Sequence, residues 1–393
     1  MQTNYDLIII GLGAMGSAAL YQAAKRGISV LGIDQFTPPH TFGSSHGDTR
    51  VTRLSIGEGE AYIPLVNRSN DIWRELEAES GHSLYHVCGG YVIYPQVGGE
   101  GYHGNVNFGA DTAVIAKKHG IPHEIRTADQ VQDHLPNILM SSDELGYWEP
   151  GAGALRVEKC IQTQIELAQK KGAHTLFNTL AETADEAGGA VKVKTGNGTF
   201  TANKVILTAG AWVPDWLGNP QKSLLSVTRQ VMYWFEADSL DEWLIDKFPV
   251  LLWQGKKIED FFGAFPTPFD GIQGVKVLTE QFIETTHPNE VQREVTPEEI
   301  EHFYDTLLKK KFAGVKRHCL KTAVCLYTDT PNGQFLIDWH PENQRILLAS
   351  PCSGHGFKHS AAVGEALVET AVDGKSKIDL SSFQFENFLK PAS

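Results

Sequence analysis

The chain has 393 residues, of which 41% are hydrophobic, and it carries a formal net charge of −13. That length exceeds what one hydrophobic core organises, so two domains with room for an enclosed site are expected. The acidic balance excludes nucleic acid and anionic membrane as partners, because most of the surface would repel them.

Five cysteines (Cys88, Cys160, Cys319, Cys325, Cys352) form an odd set without a CxxC pair, which fits free thiols in a reducing compartment. The apolar run Leu7 to Ile10 is too short for a signal-peptide core or a membrane span. The end, Lys390-Pro391-Ala392-Ser393, is not a peroxisomal address. A cytoplasmic location follows as the expectation.

Tyr5 to Ile10 reads as a buried strand running into Gly11-Leu12-Gly13-Ala14-Met15-Gly16, with Ser17 to Arg26 at helical spacing behind it. A second apolar run, Ser29 to Ile33, ends at Asp34. Strand, glycine turn, helix, strand and acid in that order make a dinucleotide fingerprint. The glycines let backbone approach a pyrophosphate, the helix N-terminus faces it, and the acid accepts ribose hydroxyls. The fingerprint alone leaves NAD and FAD open.

Beyond Pro38-Pro39 lies Gly43-Ser44-Ser45-His46-Gly47-Asp48-Thr49-Arg50-Val51-Thr52-Arg53. Arg50 and Arg53, three apart, would share one side of a helical turn, and a Gly/Ser loop can wrap a flat ligand. A solvated basic turn fits the spacing equally well. Ala61 to Glu79 has a helical core pattern; Tyr85 to Ile93 is β-like, with Gly89-Gly90 marking a bulge or close approach. Gly98 to Asn107 reads as a loop and Ala110 to His119 as a helix, so residues 86–148 look inserted into the dinucleotide fold.

Val157 to Lys171 is helical, followed by short strands at 175–177, 191–193 and 204–207. The last stops at Thr208-Ala209-Gly210-Ala211-Trp212, a small-residue turn at which Gly210 and Trp212 can pass beside a nucleotide. Residues 223–320 alternate apolar and polar runs, as a mixed sheet does. They include a helix announced by Thr296-Pro297-Glu298-Glu299 and closed by Lys309-Lys310-Lys311.

Near the end, Cys325-Leu326-Tyr327-Thr328-Asp329-Thr330-Pro331 is followed by Ser353-Gly354-His355-Gly356-Phe357-Lys358, a Gly-bracketed basic cluster opening a helix. A cysteine in such an apolar run is by itself most simply a small buried residue. His355 and His359 have a metal-ligand spacing, but no further cluster completes a tetrahedral set, and no metal is expected.

These four segments together resemble the family of monomeric sarcosine oxidase and N-methyltryptophan oxidase, over essentially the whole chain. The resemblance implies an α/β fold: a discontinuous Rossmann-like FAD-binding domain (1–85, 149–215 and 321–393) and a mixed-sheet α+β substrate domain (86–148 and 216–320). It implies FAD bound by Gly11, Gly13, Ala14, Met15, Gly16, Asp34, Ser44, His46, Arg50, Gly210, Trp212, Gly354, His355, Gly356, Phe357 and Lys358. Cys325 would carry the flavin covalently. Arg53 and Lys358 would bind the substrate carboxylate, with Arg50 and His46 close to the flavin. Lys276 would promote reaction with dioxygen, and Tyr327 would wall the substrate pocket.

The implied activity is oxidation of an N-methyl amino acid to aldehyde, amine and hydrogen peroxide by a monomeric enzyme. A dehydrogenase using another electron acceptor is the alternative. Two positions depart from the family. Glu280 stands where sarcosine oxidases have histidine, and Phe262 where they have tyrosine, so a larger or additionally cationic secondary amine is expected in place of sarcosine.

Overall fold

The computed structural model describes residues 2–98, 107–268 and 270–389. Strand β1 (Asn4–Ile10) lies between two parallel neighbours, β2 (Val30–Ile33) and the strand Gly198–Leu207. Beyond β2 comes His174–Leu176, and beyond Gly198–Leu207 comes Asn343–Ser350, both parallel. The hairpin Ala181–Ala187 and Ala190–Thr195 extends the sheet antiparallel.

Alternation along β1 divides the core. Leu7 and Ile9 pack with Leu20 and Tyr21 of helix α1 (Ala14–Lys25), while Ile8 and Ile10 pack with Val205 and Leu207 on the other side. Helix α1 is covered in turn by Val157–Lys170 and Ser360–Asp373. Contact with the latter is backbone-close: a Cβ on Gly364 would stand 2.4 Å from Ala18 Cβ.

A second eight-stranded sheet runs in the order Val315–Asp329, Ser226–Ala237, Val275–Thr279, Phe262–Phe265, Val250–Trp253, Gly90–Pro95, Glu144–Glu149, Glu124–Thr127. Its period-2 pattern decides which side chains can reach a ligand. Val231, Tyr233, Val275, Val277 and Val324 enter one apolar cluster under the helix that starts at Pro297. Met232, Trp234, Leu278 and Cys325 enter another on the opposite face. By the same alternation Lys276, Glu280 and Tyr327 belong to that second face.

A three-stranded sheet joins the two, with β3 (Thr49–Thr52) pairing with Gly153–Arg156, which also pairs with Tyr85–Val87. Arg50 therefore sits on a strand and Arg53 just past its end, so they do not share the helical turn that their spacing suggested. The expected boundary at residue 321 falls within the continuous strand Val315–Asp329.

Local signals account for several elements directly. The helix from Pro297 opens with the expected capping box, Thr296 and Glu299 each receiving the other's backbone N–H. It passes through a wider turn at Tyr304–Leu308 before ending at Lys309–Lys311. Gly89 and Gly90 mark a close approach, since a Cβ on Gly89 would fall 2.0 Å from the Trp148 ring. Of the loop expected at 98–107, residues 99–106 lie outside the described residues. No helix among the described residues is long and apolar enough to cross a membrane.

Candidate active site

One cavity of about 800 Å³ runs from Gly13 and Asp34, past Ser44 and Arg50, to Arg53, Glu58, Glu280, Tyr327 and Lys358. Ala14, Met15, Gly210, Trp212, Gly354, His355, Gly356 and Phe357 also line it. Its size is that of a site for a large cofactor and a small substrate.

At its first end the fingerprint glycines have distinct roles. Gly11 has φ +88°, and a Cβ there would lie 2.5 Å from the Thr208 carbonyl oxygen. Gly16 does not reach the cavity; a Cβ on it would meet the Gly11 carbonyl oxygen at 1.8 Å, so its bareness seats α1 against the strand end. In front of Gly13 the nearest atom to such a Cβ is Ser45 Oγ at 3.9 Å, which leaves the helix N-terminus open to the cavity. Leu12 N–H donates to Asp34 Oδ2 (2.7 Å) and Phe36 N–H to Asp34 Oδ1 (2.8 Å), fixing the carboxylate at the end of β2. An open helix start with backbone donors, beside a fixed acid, suits a pyrophosphate and ribose, and the residues present therefore fit FAD.

Midway, Arg50 donates to the Thr49 carbonyl (3.0 Å) and the Ser44 carbonyl (3.2 Å), and so stiffens the loop that bears them. His46, Lys276 and Cys325 gather behind this wall and do not line the cavity. Lys276 Nζ lies 2.5 Å from both the Gly47 and Thr49 carbonyl oxygens and 4.3 Å from the Phe265 ring centroid. Glu158 holds the same loop from its other side, accepting the Gly47 N–H at 2.6 Å.

Burial, aided by Arg50, depresses the Lys276 pKa far below the usual lysine range. Burial and the neighbouring Arg50 and Lys276 push His46 down to about 3, so its ring stays neutral. The Cys325 thiol is raised by burial, while Arg50 and Lys276 pull it the other way. These four groups thus form one electrostatic neighbourhood.

At the far end, Arg53 Nη2 lies 2.8 Å from Glu58 Oε2, with the two side chains 4% and 6% exposed. Lys358 Nζ lies 3.5 Å from Glu58 Oε1 and 2.8 Å from the His355 carbonyl. His355 Nδ1 is 3.8 Å from Glu58, and its Nε2 is 3.0 Å from the Gly333 carbonyl. Burial alone would raise the Glu58 carboxyl, but Arg53, Lys358 and His355 outweigh it and hold it well below the carboxylate range. Burial pushes Lys358 down to about 8 against the pull of Glu58.

Glu58 is absent from the sequence expectations. Its only signal is an acid bracketed by Gly57 and Gly59, shortly after the basic segment. Tyr327 and Glu280 line the cavity at this end; burial first, then Glu280, raises the tyrosine far above its usual range and keeps it a neutral phenol.

Phe262 requires a correction. It is 0% exposed and stacks on Trp253 (5.7 Å) within the apolar cluster on the far face of the second sheet. Alternation along Phe262–Phe265 sends Phe262 and Ala264 to that face and Phe265 to the one carrying Lys276, which is also Phe265's cross-strand partner. Among the described residues no group of His, Cys, Asp and Glu could hold a metal ion, and all five cysteines are free.

Residues 6–370 match the family model described as "DAO: FAD dependent oxidoreductase", and the chain belongs to that family. It is an FAD-dependent oxidoreductase. It is 36% identical over 386 residues to the monomeric sarcosine oxidase of Bacillus sp. (strain B-0618), covering 98% of this chain and 96% of that one. It is 34% identical over 385 residues to the N-methyl-L-tryptophan oxidase of Yersinia pestis (strain Pestoides F), covering 98% and 100%. Among solved structures it shares a fold with the open form of NikD, described as an unusual amino acid oxidase essential for nikkomycin biosynthesis. That likeness has a TM-score of 0.82 at 20% identity and covers 98% of each chain.

Proposed function

We propose that this chain is a flavoprotein oxidase acting on a carboxylate-bearing secondary amine of the sarcosine or N-methyl amino acid kind. The observation that carries the proposal is the buried pair of cations, Arg53 and Lys358, meeting Glu58 at one end of the cavity that begins at the dinucleotide fingerprint. Such a pair is costly to bury and recognises an anion. Relatives that act on N-methyl amino acids support the substrate class.

FAD, when bound, would supply a two-electron acceptor: a hydride leaves the C–H beside the amine nitrogen, the N–H of the free-base amine gives up a proton as the imine forms, and the two electrons and two protons leave on dioxygen as hydrogen peroxide. The resulting imine is cleaved by water to an amine and an aldehyde. The chain's own residues bind and orient. Arg53 and Lys358 grip the carboxylate, Tyr327 walls the pocket, and the cations disfavour the ammonium form of an amine that must react as free base. Cys325, packed behind the wall that Arg50 forms, would hold the flavin by a thioether, and Lys276, its pKa depressed by burial, would take up a proton where oxygen is reduced. Glu280 selects a guest with a second cationic or strongly donating group.

We assign residues 1–85, 149–215 and 321–393 chiefly to cofactor binding and the remainder to the substrate side, with the strand Val315–Asp329 shared between the two, in a monomeric cytoplasmic protein. The free thiols and the relatives named monomeric support this setting.

The test is a peroxide assay under air across N-methyl amino acids with neutral and cationic side chains, with and without Glu280→Gln. Turnover favouring cationic side chains, and losing that preference in the variant, is expected. Sarcosine outperforming all of them would remove the role of Glu280, and flavin reduction without peroxide would make the protein a dehydrogenase.

A further inference from the structure

The guanidinium of Arg53 is held by its own loop. Arg53 Nη1 donates to the Ser55 carbonyl, and its ring-facing side lies over Phe108, 5.1 Å from the centroid. The loop in turn is held by the Ser55 hydroxyl, which donates to the Thr112 carbonyl (2.5 Å), and at its backbone N–H groups by one carboxylate. Glu149, the last residue of the strand Glu144–Glu149 and 1% exposed, accepts the Leu54 N–H at Oε1 (2.5 Å) and the Ser55 N–H at Oε2 (3.1 Å). The Tyr147 hydroxyl donates to the same Oε2 at 2.8 Å.

Glu149 belongs to the second sheet, whereas Leu54 and Ser55 follow β3 of the small joining sheet. The carboxylate thus pins the exit of β3 to an element that does not share its backbone ladder. A buried carboxylate offers only acceptors, and here each oxygen meets at least one donor. No uncharged side chain of this size reproduces that. Gln would turn one oxygen into an N–H₂ facing a backbone N–H, leaving two buried donors opposed.

We infer that Glu149 is a positioning residue for the carboxylate-binding end of the site: by fixing Leu54 and Ser55 it sets where Arg53 points. The inference rests on the reading of Arg53 as the residue that grips a carboxylate. Small misplacement of such a group is costly for binding even though the group itself is intact.

The experiment titrates acetate, the bare carboxylate of the substrate class, into the FAD-loaded enzyme and follows the flavin absorbance change, with acetamide as the uncharged control. Glu149→Gln should weaken acetate about tenfold, Glu149→Asp about threefold, and neither should change the acetamide response. With an N-methyl amino acid, KM should rise by the same factor while kcat stays within about twofold.

Arg53→Met separates the two layers of the argument. If it leaves acetate affinity unchanged, the reading of the carboxylate site fails. If it abolishes acetate binding while Glu149→Gln leaves it unchanged, or lowers only the melting temperature, the role of Glu149 is overturned. Should Glu149→Gln not fold, Tyr147→Phe removes one donor from the same oxygen. A two- to threefold weakening of acetate supports the inference, and no change overturns it.

Discussion

Glu58 Oε2 stands 2.8 Å from Arg53 Nη2, and the pair is shut away from solvent. The cations assigned to a substrate carboxylate are therefore already satisfied by a carboxylate of the chain itself, and a substrate must take its place or share it. We predict that Glu58→Gln binds acetate at least tenfold more tightly, because the competing charge is gone. It should also lose about 3 kcal/mol of stability without ligand, the usual order for breaking a buried pair, and recover part of it with acetate. Urea titration of the holoenzyme with and without acetate measures both, and unchanged acetate affinity would count against the exchange.

Lys358 provides a pH signature. Burial lowers it to about 8, so its ammonium form, the one that grips an anion, is lost as pH rises past that value. Acetate affinity should then fall from pH 7 to 9, and Lys358→Arg should flatten the profile, since arginine stays charged throughout. Stability moves the other way. Between pH 8 and the ordinary lysine value the folded chain binds fewer protons than the unfolded one, so this group's contribution to stability rises with pH.

Asp329 is a separate test of burial. Burial raises its carboxyl to about 7, Thr228 partly opposing through a 2.7 Å hydrogen bond, and its Oδ1 has no partner. A raised folded pKa contributes stability that is present at low pH and lost as pH climbs through about 7. At roughly 1.4 kcal/mol per pH unit, the loss between pH 4 and 7 reaches about 4 kcal/mol. We predict that Asp329→Asn is more stable than the parent at pH 8 by about 2–4 kcal/mol, and that the difference vanishes by pH 4. Parallel stability curves at both pH values would refute this.

What could be read beforehand follows from how local each determinant is. The glycine turn and the capping box at Thr296 were legible because backbone geometry restricts the residue types there. The helix Val157–Lys170 was legible because Val157, Cys160, Ile161, Ile165 and Ala168 form one buried stripe. The rows Lys276, Leu278, Glu280 and Ala323, Cys325, Tyr327 also repeat with period two. Which face they took depended on helices elsewhere; Phe262, placed on the substrate side through the resemblance alone, takes the opposite face. Glu58 and Glu149 lay beyond reach, because their partners come from distant segments: Lys358 is 300 positions from Glu58, and Leu54 is 95 from Glu149.

Lys276 should matter to one half-reaction. Held by the Gly47 and Thr49 carbonyls, and with its pKa depressed chiefly by burial, it is poised to take up a proton when negative charge forms nearby. Lys276→Met is predicted to slow reoxidation by dioxygen about a hundredfold or more, roughly 3 kcal/mol, the range for removing one preorganised hydrogen-bond donor. Reduction by the amine should change much less. Stopped-flow measurement of both steps decides, and equal slowing would assign Lys276 to the scaffold of the loop.

The most direct measurement is anaerobic mixing of the FAD-loaded enzyme with N-methyl amino acids and with their carboxamides, followed by admission of air. The flavin colour should bleach with the acids and far less with the amides, return with oxygen, and yield hydrogen peroxide; after acid precipitation it should stay with the polypeptide unless Cys325 is replaced by alanine. Bleaching by no N-alkyl amino acid, or equally by acid and amide, would contradict the assignment of this cavity to oxidation of carboxylate-bearing amines.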